Sequence, residues 1–375
     1  MKIGVLNETN TLERRVALIP DVAGRLVEEG HTVAIESGAG QKAGFADHVY
    51  KDSGVAVHQT RSELLAEVDL LLTLGKPEPE CIDQLKEGTI LIGFLQPLAD
   101  LATVKRMNER KITALAMELL PRITRAQFMD ALSSMATVAG YKAVLIAANA
   151  LPRFFPMLTT AAGTIKPAKV IVIGAGVAGL QAIATARRLG AEVVGYDVRA
   201  AAGEQIQSLG ARFEPMEVAH AEDEGGYAKE LSPDFYKEEQ ELIRKHSPDA
   251  DAIISTAQIP GKKAPLLITK AMVEEMRAGS AIVDLAAAAG GNCELTRPDE
   301  VITYKGVSIF GHTNLPAMMP EHASQLYSRN LHALIRLLCT EGGQGAATFE
   351  DEVVKGALVC MGGHVNHPMV LKALA

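Results

Sequence analysis

The sequence is poor in cysteine and carries more acidic than basic residues. Its four cysteines are widely scattered and form no CxxC pair, so we expect neither a zinc site nor a disulfide framework, and a reducing cytosol fits this pattern. The formal net charge of -8 argues against a surface that binds nucleic acid. At 48% hydrophobic residues, the chain still has ample apolar material for the cores of a globular protein.

Long hydrophobic runs are also scarce. The longest run without a charged residue covers residues 170–186, close to the roughly 18 residues that a membrane-spanning helix needs. Three glycines and a glutamine divide this run into a strand, a turn and a helix, so we predict no transmembrane segment. The opening letters MKIG lead directly into a strand pattern, which predicts no signal peptide. Any membrane process that this chain serves would therefore need other chains to cross the bilayer.

The order of the predicted elements indicates the fold class. Short strand patterns alternate with amphipathic helical patterns, which predicts parallel sheets with helices on their faces. A long apolar helical segment near residues 131–150 separates two such series. We therefore predict two α/β, Rossmann-like domains with a cleft between them. The first, flavodoxin-like or Rossmann-like, comprises residues 1–133 plus 316–375, and the second comprises residues 134–315.

The most informative motif lies in the segment KVIVIGAGVAGLQAIATARRLGAEVVGYDVR. Gly174, Gly176 and Gly179 form a GxGxxG pattern between a buried-type strand and a helix. In dinucleotide-binding folds these glycines permit the tight turn, the approach of the pyrophosphate and close packing of helix on strand. A second strand ends at Asp197, which is placed to accept hydrogen bonds from the adenosine ribose and to repel a 2′-phosphate. This favours NAD over NADP, although Arg199 weakens the preference.

Further cofactor contacts are expected where the next strands end, because ligands of such sheets bind at the carboxyl ends of the strands. The segments concerned are 255–261, 284–292 and 311–316, and an ordinary loop is the alternative for each. The predicted cofactor-binding residues of this domain are Gly174, Ala175, Gly176, Val177, Gly179, Asp197, Val198, Arg199, Gly226, Thr256 and Gln258.

An acidic insertion, residues 214–241, interrupts the α/β series. One interpretation is a solvated insertion without further function. The other is a mobile lid, with Gly225 and Gly226 as its hinge and Tyr227 as the side chain that closes over a ligand.

The predicted site lacks an evident acid–base pair. Reducing a carbonyl or an imine requires a proton donor near the developing charge. His312 follows a strand but is more typical of a structural turn histidine, and Lys76 is a better candidate. A hydride transfer between two nicotinamide rings needs no such donor, because the hydride moves from carbon to carbon. It needs positioning of the rings and exclusion of water.

Several long segments, among them RRVALIP, LGKPEPE, MELLPRITRAQFMD, GGYAKEL and GHTNLP, give the chain a specific resemblance. Over nearly its whole length it resembles the soluble NAD(H)-binding component of proton-translocating NAD(P) transhydrogenases. The resemblance implies that Arg122 and Asp130 fix the nicotinamide end of NAD(H), with assistance from Ser133. It implies that Gln127 reaches toward NADP(H) on a separate subunit, and that Tyr227 belongs to a mobile loop. An ion pair that merely pins the loop is the alternative for Arg122 and Asp130.

The chain resembles alanine dehydrogenases more distantly. Arg15 and Lys76 match that family's substrate-carboxylate arginine and catalytic lysine. Gln96 stands where its catalytic histidine is expected, and Ala288 stands where an aspartate is expected. Transhydrogenases also often carry an acidic residue at position 288, so this chain departs from both patterns there.

These observations lead to one preferred function and two alternatives. We expect hydride transfer between NAD(H) on this chain and NADP(H) on an NADP(H)-binding partner subunit, in a complex with a membrane subunit that moves protons. The resemblance also implies a homodimer, located in the cytoplasm and held at the inner membrane by its partners. The alternatives are an alanine dehydrogenase-like amino-acid dehydrogenase and a non-catalytic NAD(H)-sensing module.

Overall fold

A computed structural model describes residues 1–215, 233–259, 262–339 and 347–374. The chain divides into two compact units. The first comprises Met1–Met135 and Ala317–Ala375, and the second comprises Ala136–Pro316.

The strands and helices follow one another as the alternating pattern predicts. The first stretch of the chain contains β1 (Lys2–Val5), α1 (Pro20–Glu28), β2 (Thr32–Glu36), α2 (Asp47–Asp52), β3 (Ala56–His58), α3 (Arg61–Leu65), β4 (Leu70–Leu72), α4 (Pro79–Gln84), β5 (Ile90–Gly93), α5 (Leu101–Glu109) and β6 (Thr113–Ala116). The middle stretch contains α6 (Ala131–Ala150), β7 (Leu158–Thr160), β8 (Gly163–Ile165), β9 (Lys169–Ile173), α7 (Val177–Arg188), β10 (Glu192–Asp197), α8 (Ala201–Ser208), β11 (Arg212–Pro215), α9 (Pro233–His246), β12 (Ala252–Ser255), α10 (Lys270–Glu275), β13 (Ala281–Asp284), β14 (Val301–Tyr304) and β15 (Val307–Phe310). The last stretch contains α11 (Pro320–Leu338), α12 (Glu352–Ala357), β16 (Leu358–Met361), β17 (His364–Val365) and α13 (Pro368–Leu374).

Each unit is built on its own mostly parallel sheet. The first sheet has the order β17-β16-β6-β5-β4-β1-β2-β3, and only β16 and β17 run antiparallel to their neighbours. The second sheet has the order β11-β10-β9-β12-β13-β15-β14, with β14 antiparallel to β15. Helices connect most of the parallel strands, as is usual for parallel pairing, whereas the connection from β13 to its parallel neighbour β15 runs through β14. The predicted α/β architecture with two sheets is thereby confirmed.

The central strand β9 shows why its sequence forms a buried strand. Side chains alternate between the two faces of a sheet, and both faces are covered in a parallel α/β sheet. Accordingly, Val170 and Val172 pack into the core on one face of the sheet, beside residues of α7 and α8. Ile171 and Ile173 pack into the core on the other face, beside residues of α9 and α10. A continuous apolar run is therefore the pattern that this position in the sheet demands.

Helix α6 is the one described helix that is long and apolar enough to cross a membrane by length and composition. In the structure 44% of its apolar window is buried. One such helix is weak evidence for a membrane span, because the core helix of a soluble protein passes the same test.

Candidate functional site

The turn between β9 and α7 has the backbone that its three glycines predict. Gly174 has φ +87°, in the left-handed region that favours glycine. A Cβ added at Gly179 would lie 1.8 Å from the carbonyl oxygen of Gly174, so only glycine allows this helix to pack so closely on the strand. A Cβ at Gly176 would meet no atom within 4 Å. The open space beside exposed Gly176 fits the backbone approach of a pyrophosphate, which is the role such a glycine plays in dinucleotide sites.

Helix α7 begins at Val177 with Gly176 as its N-cap, and no hydrogen bond from a side chain of the described residues caps it. The first backbone amides of a helix have no acceptor within the helix and carry partial positive charge. They are therefore suited to an anionic group such as a pyrophosphate. The turn and the helix start together form a cradle that fits the predicted cofactor.

Asp197 ends β10 beside this turn and is 5% exposed. Its carboxylate accepts hydrogen bonds from the backbone nitrogen of Ala175 at 2.6 Å and from that of Arg199 at 2.9 Å. The Arg199 guanidinium donates to both carboxylate oxygens, at 2.8 and 2.9 Å. Asp197 thus joins the glycine turn to the end of the second strand. Val198, between the two charged residues, is buried.

The segment that follows β12 also reaches the glycine turn. The Thr256 hydroxyl donates to the carbonyl oxygen of Gly174 at 2.9 Å. The Gln258 side chain is exposed and donates to the carbonyl oxygen of Leu285 at 2.8 Å, in the segment that follows β13. Of the residues predicted in this domain, the structure therefore brings Gly174, Thr256 and Asp197 together around one turn. Gly226 and Tyr227 lie outside the described residues.

Asp284, at the end of β13, organises the neighbouring segment; it lies within the predicted segment 284–292 but was not singled out there. Its buried carboxylate accepts from the hydroxyls of Ser255 and Thr296 and from the backbone nitrogens of Ala286, Asn292 and Cys293. Asn292 in turn donates to the carbonyl oxygens of Ala257 and Pro265. The sequence pattern that could have identified Asp284 is an acidic residue at the end of an apolar strand, as in AIVD. Asp197 ends the segment GYD in the same way.

The loop before α6 lies in the first unit, and other residues fix its shape. Asp130 accepts from the backbone nitrogen of Ser133 at 2.9 Å and from its hydroxyl at 2.5 Å, so Asp130 caps the start of α6. Asn330 of α11 donates to the carbonyl oxygen of Phe128 at 2.8 Å, and Arg125 pairs with Asp351.

The side chains of Arg122 and Gln127 are exposed on this loop. The structure thus brings Asp130 and Ser133 together. These loop residues and the glycine turn belong to different units.

The residues that match alanine dehydrogenase are engaged in internal ion pairs. Arg15 forms a buried pair with Glu13, with Nη2 to Oε2 at 2.6 Å. Lys76 pairs with Asp100. The pKa of the Asp100 carboxyl is lowered to about 2, and the hydrogen bond from Lys76 is the largest cause. Burial lowers the pKa of His312, so this histidine is a poor source of a proton near neutral pH.

Ala288 and Gln96 occupy the two positions at which the chain departs from the alanine dehydrogenase pattern. Ala288 is exposed in a short 3₁₀ turn. Gln96 has φ +52°, and its backbone nitrogen donates to Glu118. Neither position supplies the acidic or basic side chain that the alanine dehydrogenase pattern expects. Within the described ranges, no group of three or more histidine, cysteine, aspartate or glutamate residues could hold a metal ion.

The strand ends of the first sheet are filled by carboxyls of the protein itself. Glu8, beyond β1, accepts from the backbone nitrogen of Leu74, beyond β4. Glu118, beyond β6, accepts from the backbone nitrogens of Leu95 and Gln96, beyond β5. Burial raises the pKa of Glu8 to about 7 and also raises that of Glu118. The glycine turn of the second sheet is therefore the better place for an anionic cofactor.

Comparisons with known proteins agree with this arrangement. The N-terminal domain of the family "Alanine dehydrogenase/PNT" matches residues 4–139, and its C-terminal domain matches residues 143–368. The protein is 45% identical to NAD(P) transhydrogenase subunit alpha of Cereibacter sphaeroides, over 98% of this chain and 71% of that one. It is 44% identical to a shorter alpha-subunit chain of the NAD(P) transhydrogenase of Rhodospirillum rubrum, over 98% of both chains.

Solved structures give the same result. The crystal structure of transhydrogenase from Sinorhizobium meliloti matches with a TM-score of 0.85 and 38% identity, over 98% of this chain and 99% of that one. A structure of L-alanine dehydrogenase has the same TM-score of 0.85 at 27% identity, over 100% of this chain and 99% of that one.

The resemblance inferred from the sequence is thus confirmed, including the weaker similarity to alanine dehydrogenase. The family's domains bind NAD(H), and the transhydrogenase relatives form an oxidoreductase complex of several subunits. The chain therefore belongs to the alanine dehydrogenase/PNT family, and within it to the alpha subunits of NAD(P) transhydrogenase.

Proposed function

We propose that the chain holds NAD(H) and exchanges a hydride with NADP(H) carried by a separate subunit. The observation that carries this proposal is the glycine turn with open space at Gly176, beside the carboxylate of Asp197. The chemistry fits the residues, because a transfer between two nicotinamides requires no protein acid or base. The side chains that a keto-acid reduction would use, Arg15 and Lys76, are already paired with Glu13 and Asp100.

The loop before α6 is proposed to hold the nicotinamide end of NAD(H). Arg122 and Asp130 would bind and orient this end, and Ser133 would keep the Asp130 carboxylate in place through its two hydrogen bonds. Gln127 is exposed on a loop whose backbone is fixed, so it can reach a ligand on another protein. Tyr227 is proposed to close over the cofactor, on the resemblance alone. The remaining candidates around the glycine turn would contact the adenosine and pyrophosphate.

The name of the relatives, subunit alpha, implies partner subunits. We propose that these are an NADP(H)-binding subunit and a membrane subunit that conducts protons, so that this chain lies on the cytoplasmic face of the membrane without entering it. A homodimer is proposed as well. In support, the second unit exposes large apolar side chains on α6, in the segment that connects α6 with β7, and on β8, namely Tyr141 (37%), Phe154 (53%), Met157 (62%) and Ile165 (46%). Light scattering should then give about twice the chain mass of 39.9 kDa.

Reconstitution tests the proposed reaction. The purified chain is combined with an NADP(H)-binding subunit and a membrane subunit, and reduction of an NAD analogue by NADPH is followed by absorbance. Transfer that depends on this chain is the expected result. Tight NADH binding without transfer would favour the sensing module. Rapid formation of alanine from NADH, pyruvate and ammonium by the chain alone would overturn the proposal in favour of an amino-acid dehydrogenase.

A further inference from the structure

Helix α9 places a second carboxyl close to Asp197. Ile243 of this helix packs in the same core as Tyr196 and Val198 of the β10 end. Glu239 stands one helical turn before Ile243 and therefore lies on the same face of the helix, toward the end of β10. It is 5% exposed, and its carboxyl makes no hydrogen bond or ion pair with another of the described residues.

The electrostatics of Glu239 connect it with the predicted ribose site. Burial, as the larger cause, and the negative charge of Asp197 together raise the pKa of Glu239 to about 7. Arg199, the nearby cation, is paired with Asp197 through both carboxylate oxygens. The segment after β12 packs against the same core through Ala257, which carries no charge. Asp197 is thus the charged group among the described residues that acts on Glu239.

The pairing of Arg199 bears on cofactor choice. An arginine near the ribose is the group that accommodates the 2′-phosphate in NADP-binding folds, whereas an acidic residue there selects NAD. In this structure the Arg199 guanidinium is closed on the Asp197 carboxylate. If the carboxyls of Asp197 and Glu239 are both ionised, the site carries excess negative charge and repels a 2′-phosphate, which itself carries up to two negative charges.

We propose that Glu239 is a second selectivity carboxyl, which acts with Asp197 to exclude a 2′-phosphate and so keeps this chain specific for NAD(H). The inference rests on the proposed placement of the adenosine ribose beside Asp197. It adds a residue from a different element, and it makes selectivity depend on pH. Above about pH 7 the ionised Glu239 opposes NADPH, and below it the neutral carboxyl opposes NADPH less.

Equilibrium titration of the full chain with NADH and with NADPH tests this role. The chain contains no tryptophan, so the emission of the bound reduced cofactor is followed directly. The ratio of the two dissociation constants is measured from pH 6.5 to 8 for the native chain, for Glu239→Gln and for the control Glu238→Gln. Glu238 is the adjacent carboxyl of the same helix and is exposed, so it carries the same charge without the same burial.

At pH 8 Glu239→Gln should tighten NADPH binding by at least about tenfold, because the substitution removes a buried negative charge that repels a dianion. NADH affinity should change less than about threefold. The dissociation constant for NADPH divided by that for NADH should fall toward pH 6.5 more steeply in the native chain than in Glu239→Gln. The native profile controls for a variant that fails to fold, because a native ratio that does not change with pH refutes the role on its own.

Three further results would overturn the inference: an unchanged ratio in Glu239→Gln, an equal change in Glu238→Gln, or a tenfold loss of NADH affinity in folded Glu239→Gln. Failure of the native chain to bind NADH at all would instead refute the proposed cofactor site.

Discussion

The glycine turn provides a matched pair of substitutions with opposite expected consequences. In Gly176→Ala the new methyl group meets no atom within 4 Å, and the φ of −70° at this position suits any residue. In Gly179→Ala the same methyl group would lie 1.8 Å from the carbonyl oxygen of Gly174. The first change should therefore affect the cofactor and spare the fold, whereas the second should damage the fold.

The magnitudes follow from these distances. For Gly179→Ala the backbone of the turn must move by more than about 1 Å, and overpacking of this kind costs roughly 1–3 kcal/mol or more. The better helix propensity of alanine offsets up to about 1 kcal/mol of this cost. For Gly176→Ala we expect stability within about 0.5 kcal/mol of the native chain, as for other exposed positions. NADH affinity should fall at least tenfold, or about 1.4 kcal/mol, because the methyl group occupies the space where the pyrophosphate approaches.

Two measurements on each variant distinguish the effects. Urea unfolding, followed by circular dichroism, gives the free energy of unfolding, and titration with NADH gives the affinity. The reasoning is refuted if Gly176→Ala binds NADH as tightly as the native chain. It is also refuted if Gly179→Ala unfolds at the same urea concentration as the native chain, because the backbone contact would then have no energetic consequence.

The other predictions concern the loop, the buried carboxyl of Asp284 and the half-buried carboxyl of Glu8. Gln127→Ala should leave NADH affinity nearly intact but slow hydride transfer in the reconstituted complex. The control Thr124→Ala, at another exposed position of the same 3₁₀ turn, should change neither the affinity nor the rate. Equal loss of affinity and rate in Gln127→Ala would contradict a bridging role. Asp284→Ala should lower the free energy of unfolding by about 3 kcal/mol or more, because it leaves buried donors unpaired. The control Asp249→Ala, at an exposed position, should have a free energy of unfolding within about 0.5 kcal/mol of that of the native chain. The pKa of Glu8 is raised from 4.5 to about 7, so its neutral form stabilises the fold below pH 4.5 and this contribution is lost as pH rises through about 7. Glu8→Gln should therefore raise the melting temperature by a few degrees at pH 8 and by little at pH 4, and equal shifts at both pH values would count against this account.

Local patterns in the sequence were sufficient to predict the fold class and the glycine turn. The apolar run of β9 and the glycines that follow it act within a few residues of one another, and steric rules fix the turn whatever surrounds it. The same holds for α1, where Pro20 occupies the first turn and Gly30, just past the helix, has φ +89°. Where the residues that fix a conformation are adjacent in the chain, the local sequence is sufficient to predict that conformation.

Contacts between distant residues could not be predicted in this way. The sequence assigns the end of the chain to the first domain but predicts no strand there, yet β16 pairs antiparallel with β6 and so extends the first sheet. The backbone of the loop before α6 is fixed by Asn330, which comes some two hundred residues later. Asp284 and Glu239 gain their importance from burial beside particular neighbours, and no local pattern encodes that neighbourhood. These are the positions where tertiary packing decides what a carboxyl does.

The way Asp197 is held also affects the free energy of binding expected at the proposed cofactor site. Its carboxylate is immobilised by Ala175 and Arg199 before any nucleotide arrives, so binding of the ribose, as proposed, would remove almost no rotational freedom from this side chain. Ordering a flexible side chain at a binding site commonly costs about 0.5–1.5 kcal/mol, and a rigid one avoids that loss. At the proposed site, more of the free energy of the ribose contact would therefore appear as affinity for the nucleotide.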